Sequence, residues 1–315
     1  QPIDLAPGIR ASFLDAGHIL GSAALRLELT EKGRPVSLLI SGDLGNAGRP
    51  LLRPPAAPPP SDVVVMETTY GDRRHKPLPP SNEDLYQAIR DTFARGGNVI
   101  IPTFALERAQ ELLYCLRQGV ADGRIPGSTQ VFLDSPMAIS ATEIFAAHPE
   151  CYDDDVAAKF RQGGDPFHLP GLHFTRESAQ SRALNNLAAG GIIMAGSGMC
   201  TGGRVRHHLK HNLWRRQSSV VFVGYAAVGT LARRIIDGAK TVSIFGEEIS
   251  VRAQIHTING FSAHADQAEL LAWQRAARPK RTFLVHGEEA VMQQFAALLA
   301  DTKVEMPALD QSFEL

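Results

Sequence analysis

Short apolar runs alternate with stretches of helical spacing through most of the sequence. Residues 36–40 and 63–66 read as buried strands, each ending at a polar cluster. Between them lies a proline-rich stretch, residues 49–60, which can continue neither strand nor helix and predicts a stiff connecting loop. From about residue 82 the pattern becomes strand, turn and helix, repeated. Residues 98–101 lead through Pro102-Thr103 to a helix over about 105–117, and residues 130–133 through Asp134-Ser135-Pro136 to a helix ending near 144. Residues 191–195 lead into a glycine-rich turn and a helix to 211; residues 219–223 lead into Gly224-Tyr225 and a helix from about 230.

Strands alternating with helices imply an α/β fold with a mainly parallel sheet covered by helices on both faces. Ligands of such sheets gather beyond the carboxyl ends of the strands, so the starts of these helices should face one cleft. After residue 240 the character changes to short strands, 241–245 and 255–258, then a helix over about 267–276 and a strand over 281–285.

Composition narrows the classes. With 315 residues, 44% hydrophobic and 21% charged, the chain reads as globular and long enough for two domains. No apolar run approaches the ~20 residues that cross a bilayer, and the Gln1-Pro2-Ile3-Asp4 start is not a signal peptide. It lacks Met as well, which predicts a truncated or processed chain. Three scattered cysteines (Cys115, Cys151, Cys200) form no CxxC pair and fit a reducing, cytoplasmic compartment. The net charge of −1 means that a nucleic-acid substrate would have to be attracted by a local basic patch.

Candidate chemistry lies where strands give way to turns: Asp15/His18, Asp43, Glu67, His264/Asp266 and His286. Histidine nitrogen and aspartate oxygen on strand-end loops suit a hydrolytic zinc site, and a carboxylate can bridge two metals ~3.5–4 Å apart. Taken singly, each of these residues is more often a hydrogen-bonded or capping side chain.

Together, and in this order, they resemble the β-CASP branch of the metallo-β-lactamase superfamily, which includes bacterial RNase J, cleavage-factor-like nucleases and the polyadenylation endonuclease. Ala16-Gly17-His18-Ile19-Leu20-Gly21-Ser22-Ala23 resembles the third metal motif and Ser41-Gly42-Asp43 the fourth. Glu67-Thr68-Thr69-Tyr70-Gly71 resembles motif A, Phe261-Ser262-Ala263-His264-Ala265-Asp266 motif B, and Val285-His286-Gly287-Glu288 motif C. Three further segments agree: residues 101–113, 133–138 and 197–204.

The resemblance implies the C-terminal part of a metallo-β-lactamase αββα sandwich with an inserted β-CASP domain. The expected division is 1–71 and 251–315 for the former and 72–250 for the latter, with 251–315 containing the RNA-specificity region. The family's second motif, His-x-His-x-Asp-His, supplies most of the metal ligands. This sequence contains no His-x-His, so the N-terminal half of that domain is expected to be missing and the fragment inactive alone.

In a complete enzyme the resemblance implies two zinc ions. His18 would bind one, His286 the other, and Asp43 would bridge them, with metal-activated water attacking phosphorus. His264 would act as general acid or phosphate clamp, and Glu67 would orient it and raise its pKa.

RNA is the expected substrate, met in part by a phosphate-binding turn of Ser197, Gly198, Thr201, Gly202 and Arg204 at a helix start. Behind it Arg206, His207, His208, Lys210, His211, Arg215 and Arg216 supply the basic patch, while Phe104 and Tyr225 either stack bases or pack. The rivals are a DNA-repair nuclease, disfavoured because DNA-directed members usually lack a histidine in motif C, and a non-catalytic RNA-binding scaffold. Endonuclease or 5′-exonuclease action and a homodimer stay open.

Overall fold

The structure, a computed structural model, describes residues 2–162 and 164–314, which divide into two compact units: residues 1–75 with 263–315, and residues 76–262. The first unit opens with β1 (Ile3–Ala6), β2 (Ile9–Asp15), β3 (Ala23–Glu31), β4 (Arg34–Ile40) and β5 (Val63–Glu67). The second holds α1 (Leu78–Ala94), β6 (Val99–Pro102), α2 (Arg108–Ala121), β7 (Gln130–Leu133), α3 (Pro136–Ala147), α4 (Asp154–Arg161), β8 (Leu172–Phe174) and α5 (Ser178–Ala183). It continues with β9 (Gly191–Ala195), α6 (Val205–Asn212), β10 (Ser219–Val223), α7 (Leu231–Ile236), β11 (Thr241–Ile244), β12 (Glu247–Ser250) and β13 (Gln254–Ile258). The chain then returns to the first unit with α8 (Gln267–Ala277), β14 (Arg281–Val285), α9 (Glu289–Ala296) and β15 (Lys303–Glu305).

In the first unit the sheet order is β1-β2-β3-β4-β5-β14-β15, antiparallel from β1 to β4 and parallel from there on. Leu39, Val64, Met66 and Leu284 pack against Leu270, Trp273 and Ala277 of α8 and Phe295 of α9. Register places the alternate residues on the opposite face: Ile3 beside Ala11, Leu27 and Leu38, and Phe13 beside Leu25 and Ile40. On that face Leu5 and Phe13 are 61% and 64% exposed.

α8 begins where it does because Asp266 caps it: its carboxylate accepts from the backbone N–H of Ala268 and Glu269, while Glu269 accepts in return from the backbone N–H of Asp266.

The second unit is built on β13-β10-β6-β9-β7-β8, parallel throughout. Its central strands β6, β9 and β10 are buried residue after residue, as a parallel sheet covered on both faces requires.

Two local expectations need revision. The helix after β6 starts at Arg108 rather than 105, because Glu107 takes a positive φ of 62° that no right-handed helix accommodates. Phe245 lies outside β11, in a two-residue hairpin turn. The compact units divide at 262–263, since β13 pairs with β10 along its whole length. Among the described residues no helix is long and apolar enough to cross a membrane.

Candidate metal centre

β4, β5 and β14 run parallel, and β2, two antiparallel steps from β4, points the same way. The loops after all four strands therefore open at one end of the sheet; they carry His18, Asp43 and His286, and Glu67 is the last residue of β5. His264 arrives from the segment before α8 and is bridged, antiparallel, to Gly45 in the loop after β4.

The loops are tied into shape by backbone donors. The Ser22 hydroxyl accepts from His18 N at 3.0 Å and Ile19 N at 3.2 Å, and Asp15 accepts from Gly17 N at 3.2 Å. Asp15 is thus a turn former. Gly45 cannot be replaced without displacement, because a Cβ there would lie 1.8 Å from the Gly17 carbonyl oxygen.

Asp43 stands between two imidazoles. One carboxylate oxygen lies 3.8 Å from His18 Nε2, and the other 3.4 Å from His286 Nδ1, which also meets the Thr69 hydroxyl at 3.2 Å. The rings of His18 and His264 are 4.3 Å apart, and those of His264 and His286 5.9 Å.

Glu67, 1% exposed, accepts from Leu44 N at 2.7 Å and Thr69 N at 3.2 Å. Its two oxygens lie 3.0 and 3.1 Å from Nδ1 of His264, so that nitrogen donates and Nε2 is left for the site. Burial works to raise the Glu67 pKa, but hydrogen bonding to His264 and the charge of that ring outweigh it and hold the carboxyl below its usual value.

Burial, reinforced by the nearby His264, lowers the pKa of His18 to about 4, against the pull of Asp43 and Glu67. Its ring is therefore neutral at physiological pH, the form that binds metal. Among the described residues Nδ1 of His18 is buried with no well-aligned hydrogen-bond partner, while the Ala263 backbone lies near enough to favour the charged ring.

A neutral imidazole whose Nε2 faces a carboxylate, with further imidazoles beside it, makes a donor set that fits zinc. His18, Asp43 and His264 offer ligand atoms within 4.8 Å of one another. The most compact trio thus includes His264, expected as an acid, while His286 approaches the other oxygen of Asp43.

Sequence reasoning gave no role to His75, whose Nε2 lies 2.9 Å from the His264 carbonyl oxygen and whose N–H donates to Asp266. Thr69, against His286, was equally unflagged. Neither stood out in one dimension: Thr69 is a small polar residue inside a turn, and His75 lies eight residues past the end of β5.

The turn expected to bind phosphate lies in the second unit, ahead of α6. Ser197 N donates to the Gly202 carbonyl, Cys200 N to Ser197 and Val205 N to Gly196, closing the turn ahead of α6. Ser197, Gly198, Thr201 and Gly202 are thus brought together, with the Phe104 ring against Gly198, where a Cβ would come within 2.7 Å of it.

Arg204 departs from the expectation. Its guanidinium turns inward, donating to Asp134 at 2.8 Å, to the Thr175 carbonyl at 2.8 Å and to the Arg176 carbonyl at 2.7 Å, because a buried carboxylate outbids solvent for a cation. Asp134 also accepts from Thr175 and Ser181 hydroxyls at 2.7 and 2.6 Å and from His208 Nε2 at 2.6 Å.

The basic helix is likewise no continuous cationic face. His208 is buried, Lys210 pairs with Glu247, and Arg215 donates to the Leu187 and Ala188 carbonyls.

Residues 109–235 match the Beta-Casp domain, and residues 248–308 match the Zn-dependent metallo-hydrolase RNA specificity domain. The chain is 41% identical over 289 residues to Ribonuclease TTHA0252 of Thermus thermophilus, a match covering 92% of this chain and 65% of that protein. It is 34% identical over 296 residues to Transcription termination factor FttA of Pyrococcus abyssi, covering 90% of this chain and 45% of that one. The factor of the same name from Methanocaldococcus jannaschii is 33% identical over 306 residues, covering 93% and 47%. The chain therefore spans about two thirds of the first relative and about half of the others.

Proposed function

The chain belongs to the β-CASP family of metallo-β-lactamase-fold RNA nucleases, and from that premise we propose that it serves zinc-dependent hydrolysis of RNA phosphodiester bonds in a cytoplasmic RNA-processing or decay enzyme. The observation that carries the proposal is the pairing of His264 Nδ1 with both oxygens of buried Glu67, beside His18, Asp43 and His286. His18, Asp43 and His286 would hold zinc, and the ligands of a His-x-His-x-Asp-His motif are not among these residues. Zinc, when bound, supplies Lewis acidity that activates water and neutralises phosphate charge.

The protein's own residues supply the rest. Glu67 fixes the His264 tautomer and ring plane, so that Nε2 faces the scissile phosphate and passes a proton to the departing oxygen. Glu67 also holds Leu44 N, and so keeps the Asp43 loop in register with His264. In the second unit, the Ser197–Gly202 turn would contribute backbone N–H groups to the RNA phosphates, with its charge supplied from elsewhere than Arg204. The name of the Thermus relative, a ribonuclease, and the RNA specificity domain matched by residues 248–308 support RNA as substrate.

The test has two independent readouts. Zinc bound at equilibrium, measured by elemental analysis, should fall in Asp43→Ala. Cleavage of 5′-phosphorylated and 5′-capped RNA by zinc-loaded protein that also carries a His-x-His-x-Asp-His segment should fall roughly 100-fold or more in His264→Ala. Cleavage undiminished by His264→Ala would overturn the proposed role, and zinc content indifferent to Asp43→Ala would overturn the metal centre. Comparing the two substrates separates endonuclease from 5′-exonuclease action.

A further inference from the structure

The hairpin of β11 and β12 carries a residue that its turn disfavours. Ile244 pairs with Glu247, so Phe245 and Gly246 alone form the loop. Both have positive φ, 54° and 78°, as a two-residue loop needs for its twist to match the strands. Asparagine or aspartate is preferred at the first of these positions, whereas a bulky residue there is a steric outlier. Burial does not offset that cost, since Phe245 is 44% exposed.

What the ring does meet is the N-terminal turn of α6. The Arg206 guanidinium carbon lies 4.4 Å from the ring centroid. The imidazole of His207 lies 4.5 Å away, tilted by 31°. Among the described residues Arg206 has no ion-pair partner, whereas Lys210, one turn further on, is neutralised by Glu247. Burial, and then the charges of His208, Lys210 and Arg206, keep the pKa of His207 below its ordinary value, so its ring is neutral at pH 7. The result is an exposed phenyl ring with a planar cation over it and a neutral imidazole tilted beside it, directly behind the Ser197–Gly202 turn in sequence.

We propose that Phe245, with Arg206 and His207, is a stacking platform for an unpaired base of single-stranded RNA. The proposal rests on the RNA reading given above and adds a binding site to it. Every base has a π-face, so such a platform binds without sequence preference, and the guanidinium adds attraction to the neighbouring phosphate. A base held inside a duplex has both faces occupied and gains nothing from the platform. The alternative is that Phe245 only pins the hairpin to α6 through its contact with Arg206.

Phe245→Asn separates the two readings, because asparagine suits the turn and cannot stack. The platform predicts an unchanged or higher melting temperature, with roughly 5- to 100-fold weaker binding of a short unstructured RNA. It also predicts loss of the fluorescence quench of a single 2-aminopurine in that RNA. Phe245→Trp should restore both binding and quench, and binding of the same sequence as a duplex should not respond to either change.

If Phe245→Asn lowers the melting temperature and leaves single-strand affinity intact, the residue is only a pin and the proposal fails alone. If the unaltered chain binds neither single-stranded nor duplex RNA, the RNA reading fails and takes the platform with it.

Discussion

Asp134→Asn replaces a carboxylate that is wholly buried beneath four side-chain donors, those of Arg204, Thr175, Ser181 and His208. The amide keeps one acceptor oxygen, enough for Arg204 and Thr175. It turns an N–H₂ toward Ser181 and His208, and the Nε2–H of His208 then faces a donor. Removing one partner of a buried ion pair costs about 3–5 kcal/mol. Arg204 retains the Thr175 and Arg176 carbonyls, which favours the lower end, about 3 kcal/mol, in urea unfolding at neutral pH.

The pH dependence has a defined sign. Burial would raise the pKa of Asp134, but the His208, Ser181 and Thr175 hydrogen bonds overcome it and hold the carboxyl at about 2, against an ordinary 3.8. A lowered pKa contributes stability that is complete above the unfolded value, near 3.8, and lost as pH falls toward about 2. At about 1.4 kcal/mol per decade this amounts to roughly 2 kcal/mol. The stability gap between wild type and variant should therefore be constant above about pH 5 and narrow below pH 4. A gap under about 1 kcal/mol at neutral pH, or one that does not narrow in acid, would refute the reasoning.

Two further outcomes follow from the metal-centre geometry. Gly45→Ala should cost about 1–3 kcal/mol and weaken zinc binding, because its Cβ drives into the Gly17 carbonyl and displaces the loop bearing His18; denaturation and zinc titration on the same preparation check both effects, and a variant normal in each excludes the close approach. Glu67→Gln should lower kcat for RNA cleavage roughly 10- to 100-fold with KM little changed, the range for orienting partners. A kcat within twofold of wild type would show that His264 needs no carboxylate behind it.

How much of this could be read from the sequence depended on whether the signal was local. His286 follows an apolar strand directly, Asp43 stands three residues past one and Glu67 closes one, so a one-dimensional pattern found the candidates that the sheet then brings to one end. The alternation Leu25-Arg26-Leu27-Glu28-Leu29 was just as local: it lies within β3, although the first strand read from the pattern was residues 36–40.

Asp134 lies 70 and 74 residues before Arg204 and His208, and only the meeting of β7, β8, α5 and α6 makes them partners. A cation at a helix start looks the same in sequence whether it turns to solvent or to a buried carboxylate. That is why Arg204 was placed on RNA and is found on Asp134. The start of α2 was missed for a related reason, since the positive φ of Glu107 is imposed by surrounding structure on a residue with no intrinsic preference for it.

The metal centre is held less by its side chains than by the backbone joints between its loops. Gly45 N donates to Ala16, joining the Asp43 loop to the His18 loop. Asn46 N donates to Ala263, and Ala265 N to Leu44, joining it to the segment bearing His264. The hydroxyl of Thr68, next to Glu67, donates to Val285, next to His286. Each candidate ligand therefore moves with a neighbour's loop, so a substitution that breaks one joint shifts two ligands at once. Coupling of this kind is non-additive. Gly45→Ala and Asp43→Ala combined should lose little more zinc affinity than Asp43→Ala alone, because the displaced His18 loop has already lost the carboxylate it was positioned to meet. Losses that simply add would mean that the two loops hold their ligands independently.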